Sequence, residues 1–125
     1  MTNSALLDKN IVIDIITARE RIEVVLEILK NYNKVFISTH TFATCFYILR
    51  KMNLSKEQIY NHLTDFELLE IDKTDCHLAY DIAQNIDDIE DCLELCTAKR
   101  NKVKMITADQ KMAFKYGGLF GIVAV

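Results

Sequence analysis

Apolar positions along this chain follow two rhythms. Short runs such as Ser4-Ala5-Leu6-Leu7 alternate with stretches in which apolar residues recur every three or four positions. The short runs predict strands at about residues 4–7, 34–37, 67–71, 103–106 and 121–125. The longer rhythm predicts helices between them. The first follows Asn10 as its cap and turns Ile11, Val12, Ile15 and Ile16 inward. The second covers 18–31 and buries Ile22, Val25, Leu26 and Leu29. The third covers 40–52, with Phe42, Cys45, Phe46 and Leu49 inside. Ser55-Lys56-Glu57-Gln58 fits a capping box and opens a fourth. A fifth carries Leu78, Ala79, Ile82 and Ala83, and a sixth spans about 87–101. A short seventh follows Thr107 and stops at Gly117-Gly118.

Strand–helix alternation of this kind predicts one α/β domain, residues 1–125, around a mostly parallel sheet. The chain has no proline and three glycines, so nothing in it reads as a linker. Half of its residues are hydrophobic, which suits a packed core and excludes a disordered chain. Its apolar runs are too short to cross a bilayer, and Met1-Thr2-Asn3-Ser4 lacks the layout of a signal peptide. The expected location is therefore the cytoplasm, with no membrane partner. There, Cys45, Cys76, Cys92 and Cys96 are expected to be reduced core residues. Cys92 and Cys96 lack the companion ligands of a zinc site. A net charge of −3 is not that of a strongly basic nucleic-acid binder, yet acids committed to a metal would leave a nuclease open.

Acids at the joints between elements carry the candidate chemistry. Asp8 follows the first strand, Asp91 lies near the start of the sixth helix, and Asp109 follows the fourth strand. Each has a plain structural role available as a turn, cap or dipole partner. Together they gather where open α/β sheets place function, at the carboxyl ends of the strands. A divalent cation would offset three clustered carboxylates. Helical spacing sorts the acids of residues 87–101. Asp87, Glu90, Glu94, Thr97 and Asn101 form one polar stripe, expected to face water. Asp88 and Asp91 share a face with Leu95 and Ala98, which points Asp91 toward protein. Asp14 is expected to be solvated. His40, His62 and His77 read as surface or satisfied histidines, and the lysines and arginine among residues 51–104 as solvent or dipole partners.

Leu6-Leu7-Asp8-Lys9-Asn10-Ile11-Val12-Ile13-Asp14 resembles the opening of PIN domains: an apolar strand, Asp-x-Asn, then an apolar helix. Arg19-Glu20, Phe36-Ile37-Ser38 and Phe46 to Lys51 resemble one branch of that family. Asp88-Ile89-Glu90-Asp91-Cys92-Leu93-Glu94 resembles the branch's Asp-Phe-Glu-Asp-Ala-Leu-Gln motif, and Ile106-Thr107-Ala108-Asp109 its closing motif. The resemblance covers nearly the whole chain in the right order. It implies a three-layer α/β/α sandwich with a central, mostly parallel sheet of four to five strands. It further implies an endoribonuclease dependent on Mg²⁺ or Mn²⁺, with VapC-like toxins of toxin–antitoxin pairs in the same branch. RNA would be the substrate, an antitoxin protein the partner, and a homodimer the assembly. By position, Asp8, Asp91 and Asp109 would be the catalytic, metal-binding acids. Asn10 would support the turn at Asp8, Asp88 would assist from behind, and Thr107 would cap the last helix or orient Asp109.

Three positions depart from the family pattern. Thr44 stands where these nucleases usually carry a glutamate, Ala108 replaces a frequent arginine, and Lys9 replaces a threonine. The first two keep a second reading open, a weakened PIN module that binds RNA or a protein. A third reading is a phosphoacceptor receiver domain using Asp72. It lacks the second acid after the first strand and a lysine after residue 115.

Overall fold

The computed structural model describes residues 3–19 and 22–125. Five strands form one sheet: β1 (Ser4–Leu7), β2 (Lys34–Ser38), β3 (Glu67–Leu69), β4 (Lys104–Thr107) and β5 (Ile122–Ala124). Their order is β3-β2-β1-β4-β5, and every pairing is parallel. Seven α-helices are present among the described residues: α1 (Lys9–Thr17), α2 (Ile22–Leu29), α3 (Thr39–Lys51), α4 (Lys56–Leu63), α5 (Lys73–Ile82), α6 (Ile89–Arg100) and α7 (Gln110–Tyr116). The three-layer α/β/α architecture is the one expected. The strand order differs from the 2-1-3-4-5 order of receiver domains. Asp72 caps α5 beside the edge strand β3, which removes the receiver reading.

Central strands buried on both faces read as unbroken apolar runs. β1 shows this fully, with all four residues buried. Ala5 and Leu7 point into one core, built with Ile11, Val12, Val25, Ile37, Cys45, Leu49, Ile59 and Leu63 from α1–α4 and β2. Leu6 points the other way, toward Ala79, Cys92, Leu95, Met105, Met112 and Tyr116. The two cores are the two inner faces of the sandwich.

Several predicted elements shift. α1 is capped by Asp8 rather than Asn10. The expected helix 18–31 is cut to Ile22–Leu29, because Ala18 adopts a left-handed conformation (φ 52°) and ends α1. Residues 20 and 21, including the Glu20 of the branch motif, lie outside the described residues. Leu26, expected inside, is 47% exposed. β3 is three residues long, a typical edge strand. Ser55 and Gln58 form the reciprocal capping box on α4 as read. Asp72 and Asp75 form a second one on α5, with an aspartate in the place of the usual Glu or Gln. α7 stops at Tyr116, where a side chain on Gly117 would bring its Cβ to 2.4 Å from the Ala113 carbonyl oxygen. All four cysteines are free, and Cys76 is exposed rather than buried.

Candidate metal centre

Asp8 and Asp109 lie at the carboxyl edge of β1 and β4, with Asp91 on α6 near enough to feel both charges. Pairing between these strands continues one step past β1, with the Asp8 amide donating to the Ile106 carbonyl at 2.9 Å. The Asp8 carboxylate is 6% exposed and held by two donors. Its Oδ1 accepts from the Lys9 amide at 2.8 Å, and its Oδ2 from the Thr107 hydroxyl at 2.8 Å. The Thr107 oxygen in turn accepts the Asp109 amide at 3.0 Å. Asp109 caps α7 through Oδ1, which accepts from the Met112 amide at 3.0 Å. One buried hydroxyl, from Thr107, 99 residues along the chain from Asp8, therefore ties Asp8 to Asp109. The capping residue of α7 is Asp109 itself, and Thr107 sits behind it.

Asp91 comes from the first turn of α6, and its carboxylate accepts no hydrogen bond among the described residues. Burial raises its pKa to about 6, with the charges of Asp8 and then Asp109 adding to the rise. Lys9 partly offsets this. Asp8 is raised as well. Its burial outweighs the Thr107 and Lys9 hydrogen bonds, and the Asp109 charge adds to the rise. Three carboxylates thus feel one another without a donor shared among them. Among the described residues no three His, Cys, Asp or Glu side chains converge into a ready-made metal cage. The oxygen donors of Asp8, Asp91 and Asp109 are of the kind that a hard divalent ion takes. Mg²⁺ keeps several waters and uses one or two carboxylates plus phosphate rather than an all-protein cage. Asp91, short of donors and repelled by its neighbours, is the group that a cation would relieve.

Positive charge enters the site from Lys9. Burial pulls its pKa down, but Glu90, Asp8 and Asp91 together hold it above the ordinary value. Its ammonium pairs with Glu90 Oε1, and Glu90 Oε2 lies 3.4 Å from His40 Nε2. The hydrogen bond from Lys9 outweighs burial and lowers the Glu90 pKa. Glu90 is therefore a partner of Lys9 and His40 and not a freely solvated acid. His40 joins the site's rim, and Thr44 lies one turn along α3 with its hydroxyl 3.5 Å from the same imidazole nitrogen.

Asp88 points elsewhere. Its Oδ2 accepts from the Tyr116 hydroxyl at 2.6 Å and from Lys115 Nζ at 3.0 Å, and these contacts lower its pKa. It fastens α7 to the start of α6. Asn10 is exposed on α1 and lines a groove of about 340 Å³ with Ile13, Asp14, Arg19, Ala108 and Asp109. The turn at Asp8 is supported by Thr107 rather than by Asn10. Arg19 brings a guanidinium to the groove where Ala108 brings none. Asp14 is buried, contrary to the expectation that it is solvated.

Glu94 is the residue that the sequence reading missed. Its place on the Asp87–Asn101 stripe predicted solvent, yet it is 3% exposed and Thr97 is fully buried. The Glu94 carboxylate accepts from the Ser38 hydroxyl at 2.5 Å and the Thr41 hydroxyl at 3.0 Å. Ser38 also caps α3 through the Thr41 amide at 2.9 Å. Burial raises the Glu94 pKa, and the two hydroxyls moderate the rise. A buried acid thus stands between the end of β2 and the α6 turn that carries Asp91. The hydroxyls of Ser38 and Thr41, flanking the predicted strand-to-helix joint, were the available sequence signal.

A family model for the PIN domain matches residues 5–117, nearly the whole chain. The chain belongs to the PIN domain family. No curated protein matches it. Three solved structures share the fold. A toxin–antitoxin complex from Klebsiella pneumoniae contains a chain 21% identical, with TM-score 0.78 and 96% of each chain covered. VapBC2 from Rickettsia felis, bound to a DNA fragment from its promoter, gives 18% identity and TM-score 0.70, with 98% of each chain covered. FitAB bound to the IR36 DNA fragment gives 17% identity and TM-score 0.69, covering 96% of this chain and 94% of that one. At these identities the likeness is one of fold. No described helix of this PIN domain is long and apolar enough to cross a membrane.

Proposed function

We propose that this PIN domain is a divalent-metal-dependent endoribonuclease, the toxin of a cytoplasmic toxin–antitoxin pair that acts as a homodimer. Asp91 carries the reading: it is a half-buried carboxylate without a donor, with Asp8 and Asp109 close enough to raise its pKa. The family match and the toxin–antitoxin neighbours support the same activity. Asp8, Asp91 and Asp109 would hold Mg²⁺ or Mn²⁺. The ion would supply Lewis-acid activation for hydrolysis of a phosphodiester. The chain's own residues do the positioning. Thr107 fixes Asp8 and the backbone of Asp109, the α7 amide of Met112 fixes the Asp109 carboxylate, and Arg19 offers a cation to a phosphate in the adjoining groove.

A second reading, a PIN module that binds RNA or an antitoxin without cutting, is favoured by Thr44 and by the absence of a preformed cage among the described residues. A cleavage assay with Mn²⁺ separates the two. The nuclease reading expects wild type to cut RNA and Asp91→Asn to lose at least about 100-fold, the scale of removing a key electrostatic group. Equal cleavage by both proteins, or none by wild type, would overturn it.

A further inference from the structure

The face of α7 beyond Asp109 has features that the acid site does not use. Gln110, Lys111, Phe114 and Lys115 recur at helical spacing and, with Gln84, line a broad groove of about 670 Å³. Phe114 is 89% exposed, so its ring contributes almost nothing to the core. No carboxylate lines the groove, although the chain as a whole carries a net charge of −3. Lys111 has no ion-pair partner among the described residues. Lys115 is anchored to Asp88 Oδ2 at 3.0 Å.

The platform is rigidly mounted. The Tyr116 hydroxyl donates to Asp88 Oδ2 at 2.6 Å and accepts from the Gln84 amide at 3.0 Å, which pins α7 to the segment joining α5 and α6. A helix rises 1.5 Å per residue, so Phe114 lies about 7.5 Å along the axis from Asp109. Five residues also turn the ring about 140° around the axis from Asp109, so a strand with its phosphate at the acids would pass around α7 to reach it. An exposed ring flanked by ammonium and amide groups suits a flexible polyanion carrying flat aromatic units.

We propose that this groove is a base-stacking subsite for single-stranded RNA. Phe114 receives a base further along the strand whose phosphate lies at the acids, and Lys111, which has no ion-pair partner among the described residues, contacts the sugar–phosphate backbone. The proposal rests on the nuclease reading, and its test is made without metal so that the two can fail separately. Binding of a fluorescein-labelled, mixed-sequence single-stranded RNA is measured in EDTA. Phe114→Ala should weaken it roughly tenfold, the effect of losing one stacked base. Lys111→Gln should flatten the dependence of log K on log salt by about 0.7, one phosphate contact on a single strand. The chain has no tryptophan, so Phe114→Trp introduces a sole indole emitter. Its fluorescence should be quenched by the single strand and restored by salt. Tyr60→Ala, an exposed aromatic on α4, should bind as wild type does.

Phe114→Ala binding within twofold of wild type would overturn the subsite. So would indole emission from the Phe114→Trp variant that changes with protein concentration and not with RNA, which would make this face an interface between copies. Phe114-dependent binding alongside unchanged cleavage by Asp91→Asn would remove the acid assignment and leave the subsite standing.

Discussion

Replacing Asp91 with Asn should stabilise the metal-free protein while abolishing its response to metal. Burial and the charges of Asp8 and Asp109 raise the folded pKa of Asp91 from 3.8 to about 6. An acid raised on folding favours the folded state only while protonated. Stability is therefore highest below 3.8 and falls as pH rises through the interval to about 6. The full rise corresponds to about 3 kcal/mol. Solvent screening of a half-buried carboxylate reduces this to about 1 kcal/mol. For 125 residues, 1 kcal/mol moves Tm by about 4 °C. In EDTA at pH 7.5, Asp91→Asn should thus melt about 4 °C above wild type, and the two should converge below pH 4. Mn²⁺ at 100 times its Kd adds about 2.7 kcal/mol to a protein that binds it. Wild type should gain about 10 °C by that route, and Asp91→Asn almost nothing. Differential scanning fluorimetry across pH, with and without Mn²⁺, reads all of these. A lower or equal Tm for Asp91→Asn in EDTA, or equal Mn²⁺ shifts in both proteins, would refute the idea of an uncompensated site.

Two other buried acids should respond to pH in opposite directions. Glu94 has a raised pKa, so the stability of wild type falls as pH climbs past the ordinary glutamate value. Glu94→Gln should flatten that fall in a Tm–pH series, whereas Glu94→Ala should cost about 3 kcal/mol by stranding the Ser38 and Thr41 hydroxyls over a cavity. Asp75 is fully buried against Arg100, with Arg100 Nη2 at 2.9 Å from Oδ2, and also accepts from the Thr97 hydroxyl. Despite burial, the Arg100, Asp72-amide and Thr97 hydrogen bonds hold its pKa below 3.8, so its contribution is present above that value and lost in stronger acid. Asp75→Asn should cost about 3 kcal/mol in urea unfolding at pH 7 and progressively less as pH falls below 3.8. A deficit that stays constant as pH falls would refute the ion-pair account.

The sequence exposed the parts of this fold that depend on short-range pattern. β1 and β4 were readable because strands covered on both faces must be apolar at nearly every position. The α4 cap was readable because its bonds lie within four residues. Ala18 gave no warning that it would turn left-handed, since that place commonly takes glycine. Leu26 fits a helical stripe equally well whether or not a neighbour covers it. The acids divide in the same way. Asp8, Asp91 and Asp109 were singled out because each sits where an element starts. Glu94 was misplaced because its wheel position says which residues share its face, but not what that face meets. α6 packs between α5 and the sheet, so the middle of its polar stripe, Glu94 and Thr97, is enclosed, and Ser38, Thr41 and Asp75 supply its partners from 22 to 56 residues away in sequence.

The Asp8–Thr107 hydrogen bond also sets a schedule. Asp8 is made before its surroundings: the Thr107 hydroxyl that orients it, on the second strand beside β1, lies 99 residues further along the chain. A ribosome adds about 5–20 residues per second, so Asp8 waits seconds for β4 to emerge. Until then β1 has only one of its two neighbours, and the early half of the molecule can collapse without its reactive edge. Asp8 therefore has no oriented carboxylate until β4 has been made, however early the rest of its surroundings fold.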